Sequence, residues 1–477
     1  MLMKKSIKKI FVFISVFFAL PNVFCAETVE SLLKSYFQNS LTLSKLSAQI
    51  ENQILQNHYT KIENDFNIKF SSGTVKIQFD PSPQISFSPS ASFSLPQASN
   101  LTFSVSFDVE FENQSNISNT SLSLSADIFS NSMANRKITL EKSERELLEM
   151  QRSLQNGFVS TETEFYEELK NLYEIAASVE SSQNDLYEDT LDFEQIKTQG
   201  YTSASSKYRL AQMKVLSDQH KVEQYEHNLL RQVKIFASKC GIDFESENAL
   251  DFLPQEIPQI QVLNIDSFAK ENFTQIENAV WEHSINQKVR DADKAISIKA
   301  NAGYTFENEI RSDYSADTID AGTSLTWNET GLTANFGVSL PVNDFNPVYE
   351  FGISLVPKEF ALSSISKKQK KLEAQQEEIS IKNAENVYET TVISQQSELS
   401  DIQFNKSKNL ETYELYNQLE KDMAIYYERG LISESEYKSA KANKENYRIQ
   451  CIINDIELII YNNNTMQLFN RDEELIK

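Results

Sequence analysis

Residues 193–215 read FEQIKTQGYTSASSKYRLAQMKV, and residues 424–446 read AIYYERGLISESEYKSAKANKEN. Each is a helical pattern broken once by a glycine, Gly200 in the first and Gly430 in the second, 230 positions apart. The same series surrounds both: an amphipathic helix, a block of alternating strands, and a long paired helix. It runs from about residue 28 to 239 and again from about 266 to 470. A unit this long is no solenoid repeat of about 20–50 residues; the chain is two halves of one architecture. Each glycine is read as closing a helix in the left-handed conformation before the next begins.

Between the helices lie strands of period two. In LTFSVSFDVEFE, from Leu101 to Glu112, Leu101, Phe103, Val105, Phe107, Val109 and Phe111 share one face, and serine, threonine and acids share the other. About eleven residues is the length of one tilted membrane strand. Ile85 to Leu95 and Leu122 to Ile128 alternate likewise. So do Ala300 to Phe306, Ala321 to Trp327, Leu332 to Leu340 and Tyr349 to Leu355 in the second half. A soluble sandwich with one wet face has the same period. The small polar side chains opposite the apolar ones favour a water-filled lumen. Each block has a helix before and after it, so helices on one side of a membrane require an even number of crossings. Four stretches per block satisfy this, and so would two long crossings with elaborated outer turns.

The flanking helices are long. Leu154, Phe158, Phe165, Leu169 and Leu172 follow three/four spacing, while Ile365, Leu372, Ile379 and Ile393 fall at multiples of seven with Asn386 in the empty slot. That is coiled-coil patterning. Spacing places a reversal in each arm about 30 residues before its glycine, near Asn171–Glu174 and Asp401–Phe404.

Residues 1–25 read as a secretory signal: Lys4, Lys5, Lys8 and Lys9, then IFVFISVFFAL, too short to span a bilayer as a helix. Cleavage is placed after Cys25, with lipidation at Cys25 as the other option. Loss of the four lysines takes the net charge from −23 to −27. Such acidity argues against nucleic-acid binding. The run CIINDIELIIY carries Asp455 and Glu457, so no later segment is a membrane helix. Cys240 and Cys451 make no disulfide framework and are expected to be free. His220 and His227, seven apart, lack a third metal ligand. No phosphate loop, HExxH motif, CxxC pair or nucleophile elbow is present. The expectation is no enzyme, no metal and no cofactor.

The order of elements resembles the TolC-like outer membrane efflux proteins, the outer membrane factors. The resemblance is carried by SLSLSADIFSNSMANRKI (121–138), VYEFGISLVPKEF (348–360) and the two post-glycine helices. It implies a mainly α fold with membrane β, in which the duplicated helix–strands–helical hairpin trimerises. Three chains would share one twelve-stranded barrel, each copy giving two strands, and their helices would form a coiled-coil tunnel across the periplasm. The implied partners are outer membrane lipid, two further copies, a periplasmic adaptor, and an inner-membrane pump or ABC transporter of a type I secretion system. The hairpin tips would close the tunnel. The matching positions are Asn171, Leu172, Tyr173 and Glu174, and Asp401, Ile402, Gln403 and Phe404; with Glu398, the acids would form a constricting ring that favours cations. The strand blocks, about 65 and 60 residues long, exceed what two plain strands need and leave room for extra hairpins or a wider barrel.

The organisation expected is a signal peptide (1–25), a first repeat (26–239: helix 28–64, strands 65–129, hairpin 130–239), a linker (240–265), a second repeat (266–470: helix 266–296, strands 297–357, hairpin 358–470) and a tail (471–477). The functional expectation is a passive exit duct of a tripartite efflux or type I secretion system. The competing reading is a surface-anchored coiled-coil adhesin or structural outer membrane protein without transport. A stalk needs one anchor, whereas strand blocks inside both copies suit a duct.

Overall fold

The computed structural model describes residues 28–79, 84–111, 115–293, 296–307, 317–342 and 345–471; the signal segment and Cys25 lie outside them. The chain divides into two compact units. One gathers 1–49, 151–276 and 385–477, the other 50–150 and 277–384, so each draws on both sequence repeats.

The helices are α1 (Val29–Asn39), α2 (Leu41–Glu63), α3 (Ser132–Thr198), α4 (Ser206–Lys239), α5 (Thr274–Ala292), α6 (Pro357–Glu428) and α7 (Glu434–Gln467). Among the described residues none is long and apolar enough to cross a membrane. Pro357 opens α6, where its missing N–H costs nothing. In α3, Gly157 sits where any side chain would meet Leu46 of α2, so this glycine serves close helix packing.

The first unit is helical. Its core joins Leu32 and Tyr36 of α1, Phe165, Leu169, Leu172 and Tyr173 of α3, and Val233 and Phe236 of α4 to Ile449, Ile453 and Ile456 of α7. The run containing Asp455 and Glu457 is thus core, with its two acids led outward. Asp455 meets Lys406 at 2.7 Å and Glu457 meets Lys170 at 2.9 Å.

The reversals expected at Asn171–Glu174 and Asp401–Phe404 are not there. Helices α3 (67 residues) and α6 (72 residues) pass straight through both places. Leu172 and Tyr173 are buried core residues, and the Tyr173 hydroxyl donates to the Pro254 carbonyl. No turn former interrupts either stretch, and a buried three/four stripe continues across the first. The chain reverses instead at Gly200 and Gly430.

The second unit is built on one antiparallel sheet of ten strands: β1 (Asn67–Ser71), β2 (Lys76–Gln78), β3 (Gln84–Phe87), β4 (Ser90–Leu95), β5 (Leu101–Phe111), β6 (Ser115–Phe129), β7 (Ile296–Glu307), β8 (Thr318–Trp327), β9 (Leu332–Pro341) and β10 (Val348–Leu355). Strands β3 and β4 both pair with β5, end to end, while β1 pairs with β4 and β2 with β3. Ten strands therefore make eight rows of the sheet, four from each copy. The two copies join where β6 pairs with β7. The sheet of one chain thus holds four rows from each copy, more than the two barrel strands per copy that the resemblance implies, because the longer blocks extend the meander sideways. Strands β1 and β10 are the ends of the path and do not pair with each other.

Register keeps the faces separate. Phe103 lies opposite Phe93 and Leu124, Leu122 opposite Tyr304, Ala321 opposite Val338, and Phe336 opposite Phe351. On the other face Ser104 and Ser106 meet Ser123 and Ser121, hydroxyl to hydroxyl, at 2.5 and 2.6 Å.

Two clamps hold α5 in this unit. Arg145 of α3 grips Glu277 through both guanidinium arms, reaches Asn278 at 2.6 Å and stacks over Trp281 at 5.0 Å. On α6, Glu377 takes two 2.8 Å hydrogen bonds from Arg290, and the His283 Nδ1 lies 2.9 Å away. These bonds, Arg290's foremost, hold the Glu377 carboxyl down from 4.5 to about 2. A depressed carboxylate stabilises above its ordinary pKa and stops doing so as pH falls through the folded value. Glu377→Gln is therefore expected to cost on the order of 2 kcal/mol at pH 7. The gap to the parent should close between about pH 4.5 and 2, as read by thermal unfolding across pH. A gap independent of pH would show that the carboxylate is not the clamp.

Candidate functional site

The first candidate site is the pair of hairpin ends. Helix α3 stops with Gly200 at φ +82°, and α6 stops with Gly430 at φ +69°. Gly200 N–H donates to Lys197 at 3.0 Å and Tyr201 N–H to Ile196 at 3.4 Å; Gly430 donates to Tyr427 and Leu431 to Tyr426, both at 2.9 Å. Both ends are Schellman caps. The next helices start on serine caps, Ser205 for α4 and Ser433 for α7, the latter a capping box with Glu436. An aromatic pair ties each hairpin just behind its end: Phe193 against Tyr208 (5.0 Å) and Tyr427 against Tyr437 (5.5 Å). Tyr201 and Leu431, the residues after the glycines, stand exposed.

Behind the first end lies a carboxyl pair that spacing did not single out. Asp189 of α3 and Asp218 of α4 are buried neighbours whose carboxyls bear on each other's titration. Burial pushes Asp189 up, while Asp189 and Lys221 hold Asp218 down. Lys214 pairs with Asp189, and Lys221 with Asp218 at 2.9 Å. The Lys214–Asp189 ion pair fastens α4 to α3 behind the hairpin end. The only sequence signal of the carboxyl pair is an acid in the apolar slot of each helix.

The expected gate residues fall in two places along α3 and α6. Asn171 and Glu174 are exposed, with Glu174 3.9 Å from Lys170. Glu398, Asp401 and Ile402 border a cleft of about 650 Å³ with Glu167, Lys170 and Glu457. Glu398 accepts from Gln395 at 3.0 Å. Gln403 and Phe404 face outward. The acids of the second arm do gather, but 29 residues from Gly430, about 44 Å along the helix. Cys240 is buried and Cys451 half-buried, and neither forms a disulfide among the described residues.

The second candidate site is a set of unpartnered apolar surfaces. Ile365, Leu372, Ile379 and Ile393 of the α6 heptad are 56–68% exposed. The apolar face of the sheet is exposed across every strand.

The chain matches the TP096X N-terminal domain over residues 32–257 and the TP096X C-terminal domain over residues 258–472. It carries both TP096X domains in a TolC-like fold. The outer-membrane channel OprN is similar over 91% of this chain and 89% of its own, with 13% identity and a TM-score of 0.50. The outer membrane protein VceC from Vibrio cholerae is similar over 92% of this chain and 95% of its own, with 11% identity and a TM-score of 0.47. For the Campylobacter jejuni CmeC outer membrane channel the shares are 94% and 89%, with 12% identity and a TM-score of 0.44. No curated protein matches. The boundary between the two TP096X domains, 257/258, lies within the 240–265 segment.

Neither hairpin glycine has anything within 4 Å of a built Cβ. Alanine there meets only the left-handed backbone penalty, about 1–2 kcal/mol. Gly200→Ala and Gly430→Ala should each lower thermal stability by about that amount, with asparagine milder than alanine. Alanine variants as stable as the parent would show that these caps are not left-handed in solution.

Proposed function

We propose that this protein is a passive outer membrane exit duct, assembled from three copies, that receives cargo from an inner-membrane pump or ABC transporter through a periplasmic adaptor. The observation that carries the reading is the sheet: eight rows in register, apolar on one exposed face and Ser/Thr/Gly/Asn-rich on the other. An apolar face with no covering layer suits lipid, and a face of small polar groups suits water. The fold shared with OprN, an outer-membrane channel, supports the same placement.

The helices support assembly. A heptad on α6 that stands exposed among the described residues suits a coiled-coil seam with another helix. Copies arranged around an axis would bury these seams and leave a central passage. The paired glycine ends, rigid in cap yet bearing exposed Tyr201 and Leu431, suit the adaptor. Glu398 and Asp401 would then ring the passage well inside its entrance. The duct does no chemistry of its own, and energy comes from the pump.

Purified mature protein in a planar bilayer should give stable conductance steps; a well-folded trimer that never conducts under any voltage or pH would count against the duct. Phe103→Arg, on the apolar face, should cost about 2–4 kcal/mol of membrane insertion, seen as loss of protease-resistant protein in vesicles. Ser104→Arg, on the opposite face, should insert normally. Equal behaviour of the two would remove the lipid assignment. Asp401→Ala should reduce cation over anion selectivity severalfold in the same bilayer; unchanged selectivity would mean that Asp401 does not line the passage.

A further inference from the structure

We infer that each copy contributes eight strands to the shared barrel, joining its neighbour edge to edge between β10 and the β1/β2 edge, so that three copies build a pore of twenty-four strands. The inference rests on the proposed shared duct and fixes the width of its membrane segment.

The edges are visibly unfinished. In the middle of the sheet Phe103, Leu124, Ile319 and Phe336 are 41–44% exposed. On β10, Tyr349, Phe351 and Ile353 are 66–72% exposed, and on β1 and β2, Ile68, Phe70 and Ile77 are 52–80% exposed. The difference is the missing neighbour on one side. Among the described residues β1 and β10 end the path of strands with no further strand on their outer sides, an ending that hydrocarbon does not tolerate. Strand β10 carries no proline, lysine or bulge to blunt it.

Closure of one copy on itself is the alternative, and side-chain volume argues against it. An eight-stranded barrel is filled by its own inward residues. Here the polar face offers small residues such as Ser92, Ser104, Ser123, Gly303, Gly322 and Gly337, and its larger ones, among them Asp108, Asp127, Lys299 and Glu350, are ions that do not pack as a dry core. A face of small groups and ions is built to meet water.

A second copy fits the edge in direction and in charge. An even number of crossings sends β10 and β1/β2 opposite ways, so the joint between copies continues the antiparallel meander. Lys69 and Lys76 lie on the polar face of the β1/β2 edge, in register with Ser92 and Ser86. Glu350 lies on the same face of β10, opposite Gly337. Unlike charges on the two edges favour head-to-tail joining and disfavour joining like edges.

Barrel width reports the strand number. With strands about 4.8 Å apart and tilted about 40°, twenty-four give a backbone diameter of about 48 Å and twelve about 24 Å. The test is electron cryomicroscopy of the full mature protein in nanodiscs, with the copy number fixed by native mass spectrometry. Three copies with a barrel near 48 Å support the inference. Three copies with a barrel near 24 Å overturn it and leave the shared duct standing. A single copy overturns both. Independently, Glu350→Lys should reduce the assembled fraction severalfold, and adding Lys69→Glu and Lys76→Glu should restore it. Assembly indifferent to these changes would overturn the β10 to β1/β2 joint.

Discussion

Backbone N–H and C=O groups must find partners, and this one constraint organises the sheet. In the hydrocarbon setting of the proposed duct no water could replace a partner strand, and the chain pairs its strands as one continuous meander instead of as separate hairpins. The pairing of β6 with β7 is the decisive contact. It merges strands from two sequence repeats into one surface and leaves two edges where separate blocks would leave four. The bulges at Asp108/Val109 and Asp127/Phe129 interrupt the ladder without exchanging the faces, so Val109 still meets Ile117 and Phe129 still meets Ile298.

The same logic explains where charge is tolerated. In the second unit, the strongly paired ions sit among the helices, where Arg145 and Arg290 each satisfy several bonds at once. The strands carry their acids on the polar face: Asp108 takes a hydrogen bond from Ser88 at 2.5 Å, and Asp127 one from Asn100 at 2.7 Å. A charge on the apolar face would have neither water nor a partner, and the register places none there.

Legibility in the sequence followed how many residues carried each signal. Alternation was readable because two solvents act on every residue of a strand, so ten positions vote for one answer. Parity and alternation together allowed four rows per copy, as the sheet has, and equally two long ones with elaborated turns. The resemblance pointed to two, a number belonging to shorter blocks. Gly200 and Gly430 were readable because a left-handed cap admits few residues. The reversals at Asn171–Glu174 and Asp401–Phe404 rested on spacing alone, and helix continuity overrode them: Leu172 and Tyr173 extend a stripe that the core needs. The Asp189–Asp218 pair was illegible because its meaning depends on two helices meeting, and no single-helix pattern reports that.

The segment between the copies bears on whether they are separate domains at all. Tyr173 of α3 binds the Pro254 carbonyl, just before the 257/258 boundary. Just after it, Asn462 of α7 accepts from Leu263 N–H and donates to the Gln261 carbonyl, both at 2.9 Å. The connection is thus fastened to a helix of the first copy on one side and to a helix of the second on the other. Ile257 and Leu253 add apolar anchors to the same core that holds Phe165 and Ile456. A flexible tether would let the two copies fold and move apart. A tether that is itself core makes each copy's helices incomplete without the other's. The repeats are therefore units of sequence, while the units of stability are the helical core and the sheet, each of which needs both.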